Sequence, residues 1–70
     1  MNTFNHYQKN KYEQLDEIDT KIRTLAELFA EIEQDVMLNK LVREELLGVI
    51  RNKITNLHKQ YEELLHNDTI

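Results

Sequence analysis

The chain has 70 residues, of which 31% are charged and 40% hydrophobic, and its formal net charge is −4. This length allows one domain and places the chain near the lower size limit for a stable hydrophobic core. The absence of cysteine and proline, with a single glycine, excludes a disulfide framework and a thiolate zinc site and argues against a β-rich fold.

The localisation is predicted from the hydropathy of the chain. No stretch approaches the roughly 18 consecutive apolar residues of a transmembrane helix. The N-terminal sequence MNTFNHYQKN also lacks the apolar centre of a signal peptide. We therefore expect a soluble cytoplasmic protein, and the frequent Asn, Lys and Ile residues suit an AT-rich bacterial or phage genome.

Residues 1–10 form a polar, Asn-rich segment that contains Phe4 and Tyr7, three residues apart. This spacing allows both rings to lie on one side of a helix. We expect the segment to extend the first helix and to place the rings near Leu64 and Leu65. The alternatives are a short aromatic anchor for a partner and a mobile tail.

The first helix is predicted from apolar residues that recur in alternating steps of three and four. This first seam contains Leu15, Ile18, Ile22, Leu25, Phe29, Ile32 and Val36. Charged residues fill the outer side, where Asp19 and Arg23 have the i,i+4 spacing of an ion pair. Residues 1–35 have four basic and eight acidic side chains (4 − 8 = −4), so the first helix is acidic and the remainder is neutral.

A turn is predicted near residues 37–40, because a second seam begins eleven residues after the first one ends and is out of heptad phase with it. Asn39 is the best candidate to cap a new helix, and Asp35 is another. Glu44 and Glu45 would then lie near the positive end of that helix.

The second helix is predicted from an equally regular seam. It contains Leu47, Ile50, Ile54, Leu57, Tyr61 and Leu64. Helices of roughly 30 and 27 residues have matched lengths, about 45 and 40 Å. We therefore predict an all-α fold in which residues 11–66 form a two-helix antiparallel hairpin and residues 67–70 a C-terminal tail. Two such hairpins would close into a four-helix bundle.

Two other arrangements fit the same pattern. The chain could continue through a four-residue stutter as one long coiled coil, or a break at Gly48 could give three helices. A glycine inside a helix costs about 1 kcal/mol relative to alanine. Gly48 is thus either tolerated or marks a close crossing with another helix.

The segment Val36–Ile50 contains more apolar residues than one helix pair can bury, and this surplus predicts a binding surface. The residues left outside the seams are Met37, Leu38, Leu41, Val42, Leu46 and Val49. We predict that a partner contacts Met37, Leu38, Leu41, Val42 and Val49, and that Lys40, Arg43, Glu44 and Glu45 form a polar rim around them. The covering molecule is expected to be a second copy of the chain, another protein, or both.

The sequence gives little indication of a metal, catalytic or phosphate-binding site. Glu63 and His66 have the Glu-x-x-His spacing of carboxylate-bridged metal sites, and His58 and Glu62 form an i,i+4 pair, but the seam positions are apolar. Serine and cysteine nucleophiles are missing, and one glycine cannot form a phosphate-binding loop. We therefore predict no catalysis, no cofactor, no metal and no small-molecule substrate.

The leading functional hypothesis is a non-enzymatic regulator or inhibitor that binds a partner protein near the turn and also forms a homodimer. The alternatives are a structural coiled-coil homodimer or adaptor, and an acidic mimic of nucleic acid. Direct binding of nucleic acid or membrane is disfavoured, since no basic face is clustered. The acidic residues that would carry the mimicry are Glu13, Asp16, Glu17, Asp19, Glu27, Glu31, Glu33 and Asp35.

Overall fold

The computed structural model describes residues 10–66 as an antiparallel helical hairpin. Helix α1 spans Lys11–Glu33 (23 residues) and helix α2 spans Lys40–His66 (27 residues), and this described part contains no strand. The predicted all-α hairpin is confirmed. The continuous coiled coil is wrong because the chain reverses between the helices, and the three-helix arrangement is wrong because α2 passes through Gly48 without interruption.

Helix α1 begins at a capping box. The Asn10 side chain accepts a hydrogen bond from the Glu13 backbone N–H at 2.8 Å, and the Glu13 carboxylate accepts one from the Asn10 N–H at 3.2 Å. The box satisfies amides that the first helical turn leaves without partners. Phe4 and Tyr7, predicted to extend this helix, lie outside the described residues.

The turn between the helices covers residues 34–39, so it begins earlier than the predicted 37–40. After Glu33 the Asp35 carboxylate accepts a hydrogen bond from the Met37 N–H at 3.0 Å. A local side-chain acceptor of this kind competes with the helical hydrogen bonds and closes a turn without glycine or proline. Val36 therefore lies in the turn with 85% of its surface exposed, and its assignment to the first seam is wrong.

Helix α2 begins at the predicted cap. The Asn39 side-chain oxygen accepts from the Leu41 N–H at 2.8 Å, and the Asn39 carbonyl accepts the first helical bond, from Arg43 N–H, at 2.8 Å. The first turn contains no acidic residue. Glu44 and Glu45 were expected near the positive end of the helix but lie in its second turn, where the helix-dipole interaction is weaker.

The core is the line along which the two seams face each other. Its most buried residues are Leu15 and Ile50, 7% and 5% exposed. The other seam residues, Val36 excepted, are half-buried. A single layer of two helices covers each seam on one side only, so no side chain within residues 10–66 loses all contact with solvent.

Polar contacts support the hairpin at its edges. At the open end, Lys11 Nζ donates to the Leu65 carbonyl at 3.1 Å, one of the oxygens that the last turn of α2 leaves unpaired. In the middle, the Arg51 guanidinium lies 5.6 Å from the centre of the Phe29 ring. The predicted i,i+4 pair on α1 is confirmed, because Arg23 Nε and Asp19 Oδ2 are 2.9 Å apart.

Candidate interaction surface

The exposed apolar residues of the described chain are concentrated in the half of the hairpin near the turn. Nine large apolar side chains are exposed, and only Tyr12 and Leu65 lie at the open end. The other seven are Leu28, Val36, Met37, Leu41, Val42, Leu46 and Val49. The predicted surplus of apolar residues near the turn is therefore present on the surface of the molecule.

The end of the hairpin carries three of these residues, and we call Val36, Met37 and Leu41 the tip. Their exposed fractions are 85%, 89% and 75%. Their backbone is held by side-chain acceptors, since the Asp35 carboxylate bonds the amide of Met37 and the Asn39 side chain bonds that of Leu41. The tip thus presents nearly free apolar side chains on a hydrogen-bonded turn.

A second group lies along the side of the hairpin, and we call Leu28, Val42, Leu46 and Val49 the lateral patch. Val42, Leu46 and Val49 are separated by four and three residues, which places them on one stripe of α2. Each residue of the patch is between 39% and 52% exposed. These side chains are partly covered by the hairpin and partly open to solvent.

Leu28 lies on the same broad side of the hairpin as the valines of α2. Leu28 is four residues after Thr24, and Val49 is four residues before Lys53, so each continues a helical stripe. Thr24 and Lys53 line one groove between the helices. Each stripe continues from this groove toward the turn. The lateral patch therefore lies on the same side of the hairpin as the groove.

The tip and the lateral patch face different directions. Leu41 and Val42 are adjacent in sequence, so their side chains leave α2 about 100° apart. The predicted binding residues therefore do not form one continuous surface, because Met37 and Leu41 belong to the tip whereas Val42 and Val49 belong to the patch. A partner that covers one group leaves much of the other exposed.

The remaining predicted residues have different environments. Lys40, Glu44 and Glu45 are exposed, whereas Leu38 is half-buried. Arg43 is also half-buried, because it lies four residues before Leu47 and so continues the seam of α2. Its Nε is buried and has no hydrogen-bond partner within the described residues.

The sequence-based set omitted three exposed apolar residues. Val36 was assigned to the seam, and Leu46 was recognised as surplus but not placed in the site. Leu28 was overlooked because the seam steps directly from Leu25 to Phe29. Its position four residues after Thr24 and seven after Lys21 was the available indication, since it places an apolar residue on an otherwise polar stripe.

Burial of the lateral patch offers a moderate free-energy gain. Removing a whole apolar side chain from water contributes roughly 1.5–3 kcal/mol. Since each patch residue is already about half covered, completing its burial contributes about 1 kcal/mol, or roughly 4 kcal/mol for the four residues of one copy.

Gly48 does not mark a close crossing within the described hairpin. A Cβ atom built at this position would meet no atom within 4 Å. The backbone of the described residues contains no positive φ angle, so Gly48 is not required for an unusual conformation either. The glycine is tolerated in the helix at the usual free-energy cost.

The metal and acidic features noted in the sequence remain dispersed on the surface. His66 Nε2 lies 3.9 Å from Glu62 Oε1, with both side chains largely exposed. No three metal-binding side chains cluster anywhere in residues 10–66. On α1, the pairing of Arg23 with Asp19 interrupts the acidic row with a positive charge. Neither described helix has the length and apolarity that a membrane crossing requires.

No protein-family model, no curated protein and no solved structure matches the chain.

Proposed function

We propose that the protein is a non-enzymatic interaction module that binds a partner protein through the tip and thereby regulates or inhibits that partner. The observation that carries the proposal is the exposure of Val36, Met37 and Leu41, each at least 75% exposed where one side-chain hydrogen bond closes the turn and another caps α2. A hydrogen-bonded turn loses little conformational entropy on binding.

The chemistry of the tip favours an apolar groove or pocket on the partner. Three large apolar side chains that are each at least 75% exposed are suited to fill such a groove, as buried anchors do in protein interfaces. The unbranched Met37 side chain adapts to irregular surfaces. Lys40 and Glu44, both exposed next to Leu41, supply the polar rim that fixes the orientation of the complex.

Self-association is the second part of the proposal. Residues 10–66 form one layer of two helices with few buried side chains, and a second hairpin would supply the missing layer as in a four-helix bundle. The homodimer then presents two tips, which allows one assembly to engage two partner molecules.

A matched pair of variants tests the role of the tip. Leu41 and Tyr12 are both the second helical residue after an Asn cap, and they are 75% and 78% exposed. Aspartate in a first helical turn is compatible with the helix dipole. We therefore expect Leu41→Asp and Tyr12→Asp to preserve the helical circular dichroism spectrum equally well.

The readout is capture of proteins by the immobilised chain, followed by mass spectrometry and by titration of each captured protein in purified form. We expect at least one protein that binds the wild type and Tyr12→Asp directly but loses most of its affinity for Leu41→Asp. Equal binding to all three chains would contradict the proposal. Unfolding of Leu41→Asp alone would show that Leu41 belongs to the core.

A further inference from the structure

The lateral patch is flanked by opposite charges at equal distances along α2. Glu45 is four residues before Val49 and Lys53 is four residues after it, about 6 Å in each direction. Both side chains are exposed, and neither has an ion pair within residues 10–66. If a second α2 packs antiparallel on the first, with the two-fold axis between the copies at the level of Val49, Lys53 of one copy lies at the same height as Glu45 of the other.

We propose that the lateral patch binds the lateral patch of a second copy, with the hairpins antiparallel and the two-fold axis between the copies at the level of Val49. In this arrangement Lys53 of each copy lies against Glu45 of the other, so the charge pair forms twice. Leu46 and Val49 of the two copies cover each other between the pairs, and Val42, seven residues before Val49, lies outside them. Such an interface is isologous, since the same residues contribute from both sides.

The distribution of side chains along the hairpin favours the antiparallel arrangement. The patch occupies the half near the turn, whereas the groove on the same side toward the open end is lined largely by polar residues, including Lys21 and Lys53. A parallel dimer would bring these lysines of both copies into the same stretch of the interface. The antiparallel dimer separates them and places each Lys53 against a carboxylate instead.

A second copy explains the patch better than an unrelated partner does. The described hairpin lacks a second layer, and the patch offers apolar side chains and complementary charges that match a copy of themselves. The tip remains outside the interface, because Leu41 leaves α2 about 100° from Val42. The inference rests on the proposed self-association, for which it specifies the face, and it leaves the tip free for a partner protein.

Charge-swap variants test the arrangement by sedimentation equilibrium of the full chain. Glu45→Lys and Lys53→Glu should each raise the dimer dissociation constant at least about tenfold, because two attractive pairs become two repulsive ones. An equimolar mixture of the two variants should recover the wild-type constant, since every Lys–Glu contact re-forms in the mixed dimer. The double variant Glu45→Lys/Lys53→Glu should recover it as well.

The outcomes separate this inference from the role of the tip. A wild-type chain that stays monomeric at millimolar concentration, or single variants that do not complement each other in the mixture, would overturn the dimer. Loss of the dimer in Leu41→Asp would overturn the division into two surfaces. If Leu41→Asp remains dimeric but loses its partner, both proposals are supported, whereas a dimer with no tip-dependent partner supports the dimer alone.

Discussion

Truncation of the most buried side chain should measure how much of the fold depends on the seam. Ile50 is 5% exposed, and Ile50→Ala removes three carbon atoms from the contact between the helices. At about 0.8 kcal/mol for each buried methylene the transfer loss alone is about 2.4 kcal/mol. The residual cavity brings the usual range for such a truncation to about 2–5 kcal/mol.

This loss is large for a chain of this size. Native stabilities of about 0.05–0.15 kcal/mol per residue imply roughly 4–10 kcal/mol for the whole chain. In a domain of 60–100 residues, 1 kcal/mol lowers Tm by about 4–8 °C, so Ile50→Ala should lower it by at least about 10 °C. The measurement is thermal unfolding followed by circular dichroism at one fixed protein concentration, because association makes Tm concentration-dependent.

Leu41→Ala is the matched control, since it also removes three carbon atoms but from a side chain that is 75% exposed. Substitutions at such exposed positions change stability by less than about 0.5 kcal/mol. We therefore expect its Tm to stay within a few degrees of the wild type. If Leu41→Ala lowered Tm as much as Ile50→Ala, the tip would be buried in the solution assembly and the reasoning that separates core from tip would be refuted.

Two further substitutions test individual positions on α2. Gly48→Ala should raise the free energy of unfolding by about 0.5–1 kcal/mol in urea denaturation, because the added Cβ meets no atom and alanine has the higher helix propensity. A lower free energy of unfolding would show that another molecule packs against this position. Arg43→Leu should stabilise it by about 1 kcal/mol, because it removes a buried Nε without a partner and a positive charge from the first turn of α2. A lower denaturation midpoint for Arg43→Leu would show that the guanidinium is bonded in solution.

Much of the fold could be predicted because the residues at the heptad steps form the contact between the two helices. The two seams are also mirror images of each other about the turn, a symmetry that the prediction did not use. Leu15 and Leu64 lie at equal distances from the midpoint between residues 39 and 40, and so do Ile32 and Leu47. A mirrored pattern allows every seam residue of one antiparallel helix to face a seam residue of the other, which a continuous helix with a stutter does not require.

The end of the first seam could not be predicted from its steps alone. Val36 satisfies the heptad pattern, but its mirror position is Arg43. An apolar side chain gains little from a position opposite a guanidinium, and the Asp35 side chain closes the turn at the same point. The end of α1 is therefore set by local hydrogen bonding of the Asp35 side chain and not by the hydrophobic pattern.

Most of the exposed apolar residues near the turn could be predicted from the sequence, but their division into two surfaces could not. Counting apolar residues outside the seams located the exposed region, because a hairpin can bury only one stripe of each helix. The division into tip and lateral patch depends on where the helix begins relative to Leu41 and Val42. That boundary follows from the Asn39 cap, which sets the direction of every side chain in the first turns of α2.

The position of the tip follows from the unequal ends of the two helices. The mirror positions of residues 40–45, the first residues of α2, are residues 34–39, which form the turn. The beginning of α2 therefore extends past the last residue of α1 and has a turn, not a helix, beside it. Leu41 lies in this overhang and Val36 and Met37 lie in the turn beside it, where the described hairpin has no second helix to cover them. Because the shortage of cover arises from the topology, repacking of residues 10–66 cannot remove it, and we propose that a surface of another chain buries the tip.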